Sequence, residues 1–159
     1  MKGAMMLYKN IMLAIDGSDV SNYAVEEVIK LTQGEEVNVR LIYVIDESYI
    51  YNGGPIVDYP AFISSLKEDG QKILDNAQRM IESHSSIKVE KFLFELKPIQ
   101  GRIAELIVAA ATEWPADLLV IGTHGRRGVN RLFLGSVAEN VIRIATTPVL
   151  LIRGSMLPK

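Results

Sequence analysis

The chain has 159 residues, a single domain's worth. Hydrophobic residues make up 48% and charged residues 23%, which excludes a disordered chain. Seventeen basic and nineteen acidic residues leave a net charge of -2, which excludes a generally basic nucleic-acid binder but not a local basic site. With no cysteine, disulfide scaffolds, Cys-ligated zinc, iron–sulfur clusters and thiol catalysis are excluded. Only two histidines are present, His84 and His124, which argues against a histidine-rich metal site.

The elements alternate between two periods. Ile11–Ile15 is wholly apolar and is broken by Asp16-Gly17-Ser18. It reads as a strand buried on both faces. Val20, Ala24, Val28 and Leu31 recur at helical spacing, and Gly34 is placed to end that helix. Val37–Ile45 is the second strand. Asp46–Pro60 reads as a loop around Gly53-Gly54-Pro55. Phe62, Leu66, Ile73, Ala77 and Met80 mark a long amphipathic helix ending near His84.

Val89–Leu96 follows as a half-exposed edge strand, with Phe92, Phe94 and Leu96 on one face and Lys91 and Glu95 on the other. Ile103, Leu106, Ile107 and Ala110 mark a third helix, stopped at Trp114-Pro115. Leu118–Ile121 is wholly apolar again. A loop with four glycines runs from Gly122 to Gly135, Val137, Val141 and Ile144 mark a fourth helix, and Val149–Ile152 is the last strand. Helices between strands make parallel, right-handed connections. The expected product is one doubly wound α/β domain over residues 1–159, a five-stranded parallel sheet with helices on both faces and Ile11–Ile15 and Leu118–Ile121 at its centre. The longest uncharged run, Ser48–Val57, is too short and too polar to span a bilayer. No apolar leader with a small-residue cleavage site follows Lys2, so the expected location is cytoplasmic, with no membrane partner.

In open α/β sheets, ligands bind beyond the carboxyl ends of the strands. Asp16-Gly17-Ser18-Asp19 occupies one such end and Gly122–Gly128 another. Gly122, Gly125, Gly128 and Gly135 let backbone approach a ligand closely. Gly135-Ser136 opens a helix whose free N–H groups favour an anion. Arg126, Arg127 and Arg131 face no acidic residue between Thr123 and Ala138. Together these features describe a phosphate cradle. The competing reading is a solvated loop with Ser136 as a simple helix cap.

The spacing Gly122-x2-Gly125-x9-Gly135-Ser136 resembles the ATP-binding signature of the universal stress proteins. The resemblance extends to Asp16-Gly17-Ser18, Tyr43-Val44-Ile45-Asp46, Gly101 and the closing Ala145–Ile152. It implies strand order 3-2-1-4-5 and ATP held between the ends of strands one and four. Ala14 and Asp16 would lie at the nucleotide, Asp16 near the ribose, the phosphates or a magnesium ion bound to them. The backbone of Val44 would meet the adenine edge. Gly122, Gly125 and Arg126 would line the phosphate path, with Gly135, Ser136, Val137 and Ala138 receiving the phosphates. Ala138 stands where several ATP-binding members carry a hydroxyl, which implies weaker binding rather than none. The resemblance also implies a homodimer through Val149–Arg153, whose apolar edge strand is poorly blunted.

Several residues keep two readings. Asp16 and Asp19 suit either magnesium or a turn and a helix-start charge. His124 suits either a phosphate contact or acid role, or local packing. His84 suits the carbonyl end of its helix. Tyr49, Tyr51 and Tyr59 suit either a lid or turn packing. No P-loop, G-x-G-x-x-G, H-E-x-x-H or G-x-S-x-G motif is present. The expected function is therefore an ATP-binding regulatory module read by a protein partner. The alternative is a slow ATPase or phosphotransferase using the same pocket.

Overall fold

The computed structural model describes residues 8–48, 58–84, 87–126 and 134–154. In chain order the elements are β1 (Asn10–Ala14), α1 (Asp19–Thr32), β2 (Asn38–Asp46), α2 (Tyr59–His84), β3 (Val89–Leu96), α3 (Ile103–Glu113), β4 (Leu118–Gly122), α4 (Ser136–Ile144) and β5 (Val149–Ile152). The strands form one sheet in the order β3-β2-β1-β4-β5, and every neighbouring pair is parallel. This is the order that the resemblance implies. The two wholly apolar runs are central: Ile11, Met12, Leu13, Leu119 and Val120 have no exposed surface.

Their double-sided burial explains the missing alternation. Ile11 and Leu13 join Val28, Leu41, Leu74 and Ile81 on the face covered by α1 and α2. Met12 joins Ile42, Ile107, Leu119 and Val141 on the face covered by α3 and α4. Each fully buried side chain of this size contributes about 1.5–3 kcal/mol.

The helix boundaries have local causes. Ser18 caps α1, its side chain accepting from the Ser21 N–H at 3.2 Å. Gly34, just past α1, has φ +79 and reverses the chain there. The expected loop to Pro60 ends earlier, because α2 starts at Tyr59. Proline fits the first helical turn, where its missing N–H has no partner to lose. Gly70 lies inside α2, and a Cβ there would come within 2.8 Å of the Tyr43 ring and 2.9 Å of Leu93. Its bare Cα lets α2 lie directly on β2 and β3.

β3 is the half-exposed edge strand that its alternation predicts. Leu96 is buried, but Phe92 on the same face of β3 is 42% exposed. It stands outside the cluster beneath α3, and the Arg40 guanidinium covers it, 4.4 Å from the ring centroid. The same guanidinium lies 4.5 Å from the Trp114 ring, and Arg40 also pairs with Glu90. A guanidinium against two rings thus covers this outer part of the face in place of a helix.

At the amino ends of the strands, Asp117 ties β1 to β4. Its Oδ2 accepts the backbone N–H groups of Lys9 and Asn10, both at 2.9 Å. The Asn10 side chain donates to the Pro115 carbonyl and accepts from Asn38 at 2.9 Å. The Lys9 bond first, then that of Asn10, holds the Asp117 carboxyl below the usual carboxylate range.

Candidate functional site

At the carboxyl ends the sheet order reverses, with β2 and β3 on one side of β1 and β4 and β5 on the other. The ends of β1, β2 and β4 open there into a cleft of about 790 Å³. Its lining includes Ala14, Asp16, Tyr43, Val44, Asp46, Phe62, Leu66, Ile103 and Ile107, with Gly122–Arg126 and Gly135–Ala138 along one wall.

Two loops meet over the cleft. After β1, Gly17 turns the chain with φ +77, and a Cβ there would strike Ile73 at 2.7 Å. Asp16 Oδ1 accepts the Ser18 N–H at 3.0 Å. Its Oδ2 accepts the Arg126 backbone N–H at 2.9 Å, joining the β1–α1 turn to the glycine loop after β4. The Arg126 guanidinium then extends toward β2, 6.0 Å from the Tyr43 ring centroid. Burial pushes the Tyr43 phenol up, against a smaller opposing pull from Arg126.

Three glycines of the expected signature meet atoms that a side chain would displace. A Cβ on Gly122 would lie 2.8 Å from Val20, one on Gly125 2.6 Å from Asp16 Oδ2, and one on Gly135 3.1 Å from the Thr123 carbonyl oxygen. The Gly135 N–H donates to that same oxygen at 2.8 Å. Gly135 is the N-cap residue of α4 and supplies no side-chain cap. The first turn of α4 therefore presents N–H groups and the positive end of its dipole to the cleft. His124 contacts Thr123 Oγ1 through Nδ1 at 2.9 Å, while its Nε2 is buried without a partner among the described residues. Glycine backbone, a helix N-terminus and a cation around one cleft can accept a phosphorylated ligand.

The universal stress protein family model matches residues 7–153. The chain belongs to that family. It is 39% identical over 153 residues to the universal stress protein MJ0531 of Methanocaldococcus jannaschii, covering 92% of this chain and 83% of the relative. The solved structure of protein MJ0577 is similar with a TM-score of 0.77 and 28% identity, covering 92% of this chain and 96% of the other. A universal stress protein from Archaeoglobus fulgidus, solved in complex with dAMP, matches with a TM-score of 0.63 and 24% identity. It covers 92% of this chain and 99% of that one, a likeness of fold.

Set against the family signature, the structure brings Ala14, Asp16, Val44, Gly122, Gly125, Arg126, Gly135, Ser136, Val137 and Ala138 to one cleft. Gly135 rather than Ser136 occupies the cap position of α4. Asp19 sits in the first turn of α1, and Asp16 makes the turn bond to Ser18. Tyr59 does not line the cleft. Its hydroxyl donates at 2.6 Å to Glu47 Oε2, a carboxylate only 6% exposed. His84 Nδ1 lies 2.8 Å from the Met80 carbonyl oxygen at the end of α2. Tyr49, Tyr51, Arg127, Gly128 and Arg131 lie outside the described residues.

Sequence reasoning missed the cleft roles of Phe62, Leu66, Ile103 and Ile107. These residues stand on the apolar stripes of α2 and α3, and periodicity alone cannot separate a cleft wall from a core face. Tyr43 carried a better signal, as a phenol inside the otherwise aliphatic run Leu41–Ile45.

Proposed function

We propose that the cleft binds an adenine nucleotide, ATP foremost, and that this universal stress protein acts as a nucleotide-sensing regulatory module. The observation that carries this reading is the convergence of the signature residues on one cleft whose wall is glycine backbone and an α4 N-terminus without a side-chain cap. The Archaeoglobus neighbour that holds dAMP supports it. In this reading the Val44 backbone meets the adenine edge and Ala14 lies beneath the nucleoside. Gly122, Gly125 and Arg126 follow the phosphates, which end on the N–H groups of Gly135, Ser136, Val137 and Ala138. The described residues contain no group of three or more His, Cys, Asp or Glu side chains able to hold a metal alone. Magnesium would therefore arrive with the phosphates and take Asp16 as its protein ligand.

The same reading includes a cytoplasmic homodimer. β5 is the outermost strand, and Val149, Leu150 and Leu151 on it are only half-buried. Ile142 and Ile144 on α4 are 45% and 41% exposed. Antiparallel pairing of two β5 edges through Val149–Arg153 would satisfy their free N–H and C=O groups. Sedimentation of the wild type and of Leu150→Pro tests it, with a dimer expected for the first and a folded monomer for the second. A slow ATPase or phosphotransferase in the same cleft is the second reading. It draws on His124, which lines the cleft and whose Nε2 is buried without a hydrogen-bond partner among the described residues. Mass spectrometry of small molecules released on denaturation, followed by turnover assays with magnesium, separates the two. Retained ATP without turnover supports the module, and steady hydrolysis supports the enzyme.

A further inference from the structure

The Asp16 carboxylate is placed where a polyanionic ligand would meet it. It lines the cleft, and both of its oxygens are engaged by backbone donors, Ser18 N–H on one and Arg126 N–H on the other. No ion pair among the described residues includes it. Gly125 lies directly against it, since a Cβ there would sit 2.6 Å from Oδ2. The carboxylate thus occupies a backbone donor of the glycine loop as a ligand oxygen would, and its negative charge lines the cleft outside every ion pair formed among the described residues.

We propose that Asp16 makes the cleft selective for the cation complex of a nucleotide over the free polyanion. The proposal rests on the adenine-nucleotide reading above and adds which form of the nucleotide is accepted. A metal-free phosphate chain meets two obstacles. The Arg126 N–H is already taken by a charge-assisted bond, and the carboxylate repels the incoming charge across a cleft whose apolar walls screen it less than water does. A divalent cation removes both. It gives the carboxylate a new partner, it lowers the charge of the phosphates, and it releases the Arg126 N–H to a phosphate oxygen. Asp16 is then a device that converts cation occupancy into nucleotide affinity. Asparagine keeps the shape and still accepts from the Arg126 N–H, but it lacks the charge.

Calorimetry with ATP on the wild type and Asp16→Asn, each in excess EDTA and in excess magnesium, tests the proposal. In EDTA the variant should bind roughly tenfold more tightly than the wild type, because the repelling charge is gone and a neutral amide holds the Arg126 N–H less strongly than the charge-assisted bond did. Magnesium should improve wild-type binding by a similar factor and leave the variant nearly unchanged. Equal ATP affinities for the two proteins in both conditions would retain the nucleotide reading and overturn the role of Asp16. So would a variant that binds more weakly in EDTA. Absence of binding by either protein in either condition overturns the nucleotide reading and this proposal with it. Hydrogen exchange on the ligand-free wild type supplies a second readout. Magnesium alone, at the concentration used in the calorimetry, should leave the Arg126 amide protected, and magnesium with ATP should change its protection. An Arg126 amide that exchanges freely in the ligand-free protein removes the contact on which the proposal stands.

Discussion

The two ends of the sheet use the same device to different effect. At the amino ends Asp117 accepts two backbone N–H groups and ties β1 to β4. At the carboxyl ends Asp16 accepts two backbone N–H groups and ties the turn after β1 to the loop after β4. Around Asp117 the remaining polar groups close on one another, through Asn10, Asn38 and the Pro115 carbonyl. Around Asp16 they open onto a cleft of about 790 Å³ with glycines on its wall and a His124 Nε2 that has no partner among the described residues. A bridging aspartate is therefore not by itself a sign of function. The surrounding groups decide it: paired polar groups make a clamp, and free donors around empty volume make a site.

Substitutions at the two ends should separate along that line. The largest effect belongs to Gly125→Val. Its Cβ would displace the Asp16 carboxylate, and its methyl groups would enter the phosphate path. ATP affinity should fall by roughly a hundredfold, near 2.8 kcal/mol, while the protein stays folded by circular dichroism. Unchanged affinity in a folded variant would remove the glycine loop from the site.

Asp117→Ala should behave in the opposite way. It leaves the Lys9 and Asn10 N–H groups to water and should cost about 1 kcal/mol of stability in urea unfolding, a modest figure because the carboxylate is exposed. ATP affinity should stay within experimental error of the parent. A loss of binding comparable to that of Gly125→Val would erase the contrast between the two ends.

Acid should show the same clamp. The Asp117 carboxyl is held below the usual range in the folded protein, so its contribution is complete above the unfolded value, near pH 4. It is lost as pH falls through the lower folded value. The stability difference between wild type and Asp117→Asn should therefore be constant from pH 7 to about 5 and shrink below about 4. A gap that widens in acid would contradict this assignment.

The smallest effect belongs to Arg126→Gln. The side chain is exposed, so ATP binding should weaken by about two- to fivefold, with a shallower dependence on salt. An unchanged salt dependence would leave the guanidinium as a solvated group stacked near Tyr43.

Much of this division was legible in the sequence, and the exceptions have physical reasons. The unbroken apolar runs of β1 and β4 announced burial on both faces, and the glycines from Gly122 to Gly135 read as close approach to a ligand, whereas the atoms lying against Gly122, Gly125 and Gly135 are the protein's own. What Gly125 approaches, an aspartate 109 residues earlier in the chain, is a tertiary fact that spacing does not encode. Phe92 lies on a half-exposed edge strand as expected, but that Arg40 rather than a helix would cover it was not legible, because alternation reports only which side of a strand a residue faces. Gly70 carried no turn signal, since its role is to bring one helix close to the Tyr43 ring. Asp117 was invisible for a related reason: its partners are backbone groups, and any residue could have supplied them.

Calorimetric titration of ATP with magnesium into the purified, nucleotide-free protein tests the central claim most directly. The account predicts saturable binding of one nucleotide per chain, lost in Gly125→Val and kept in Asp117→Ala. A folded wild-type protein that takes up no adenine nucleotide with or without magnesium would contradict it.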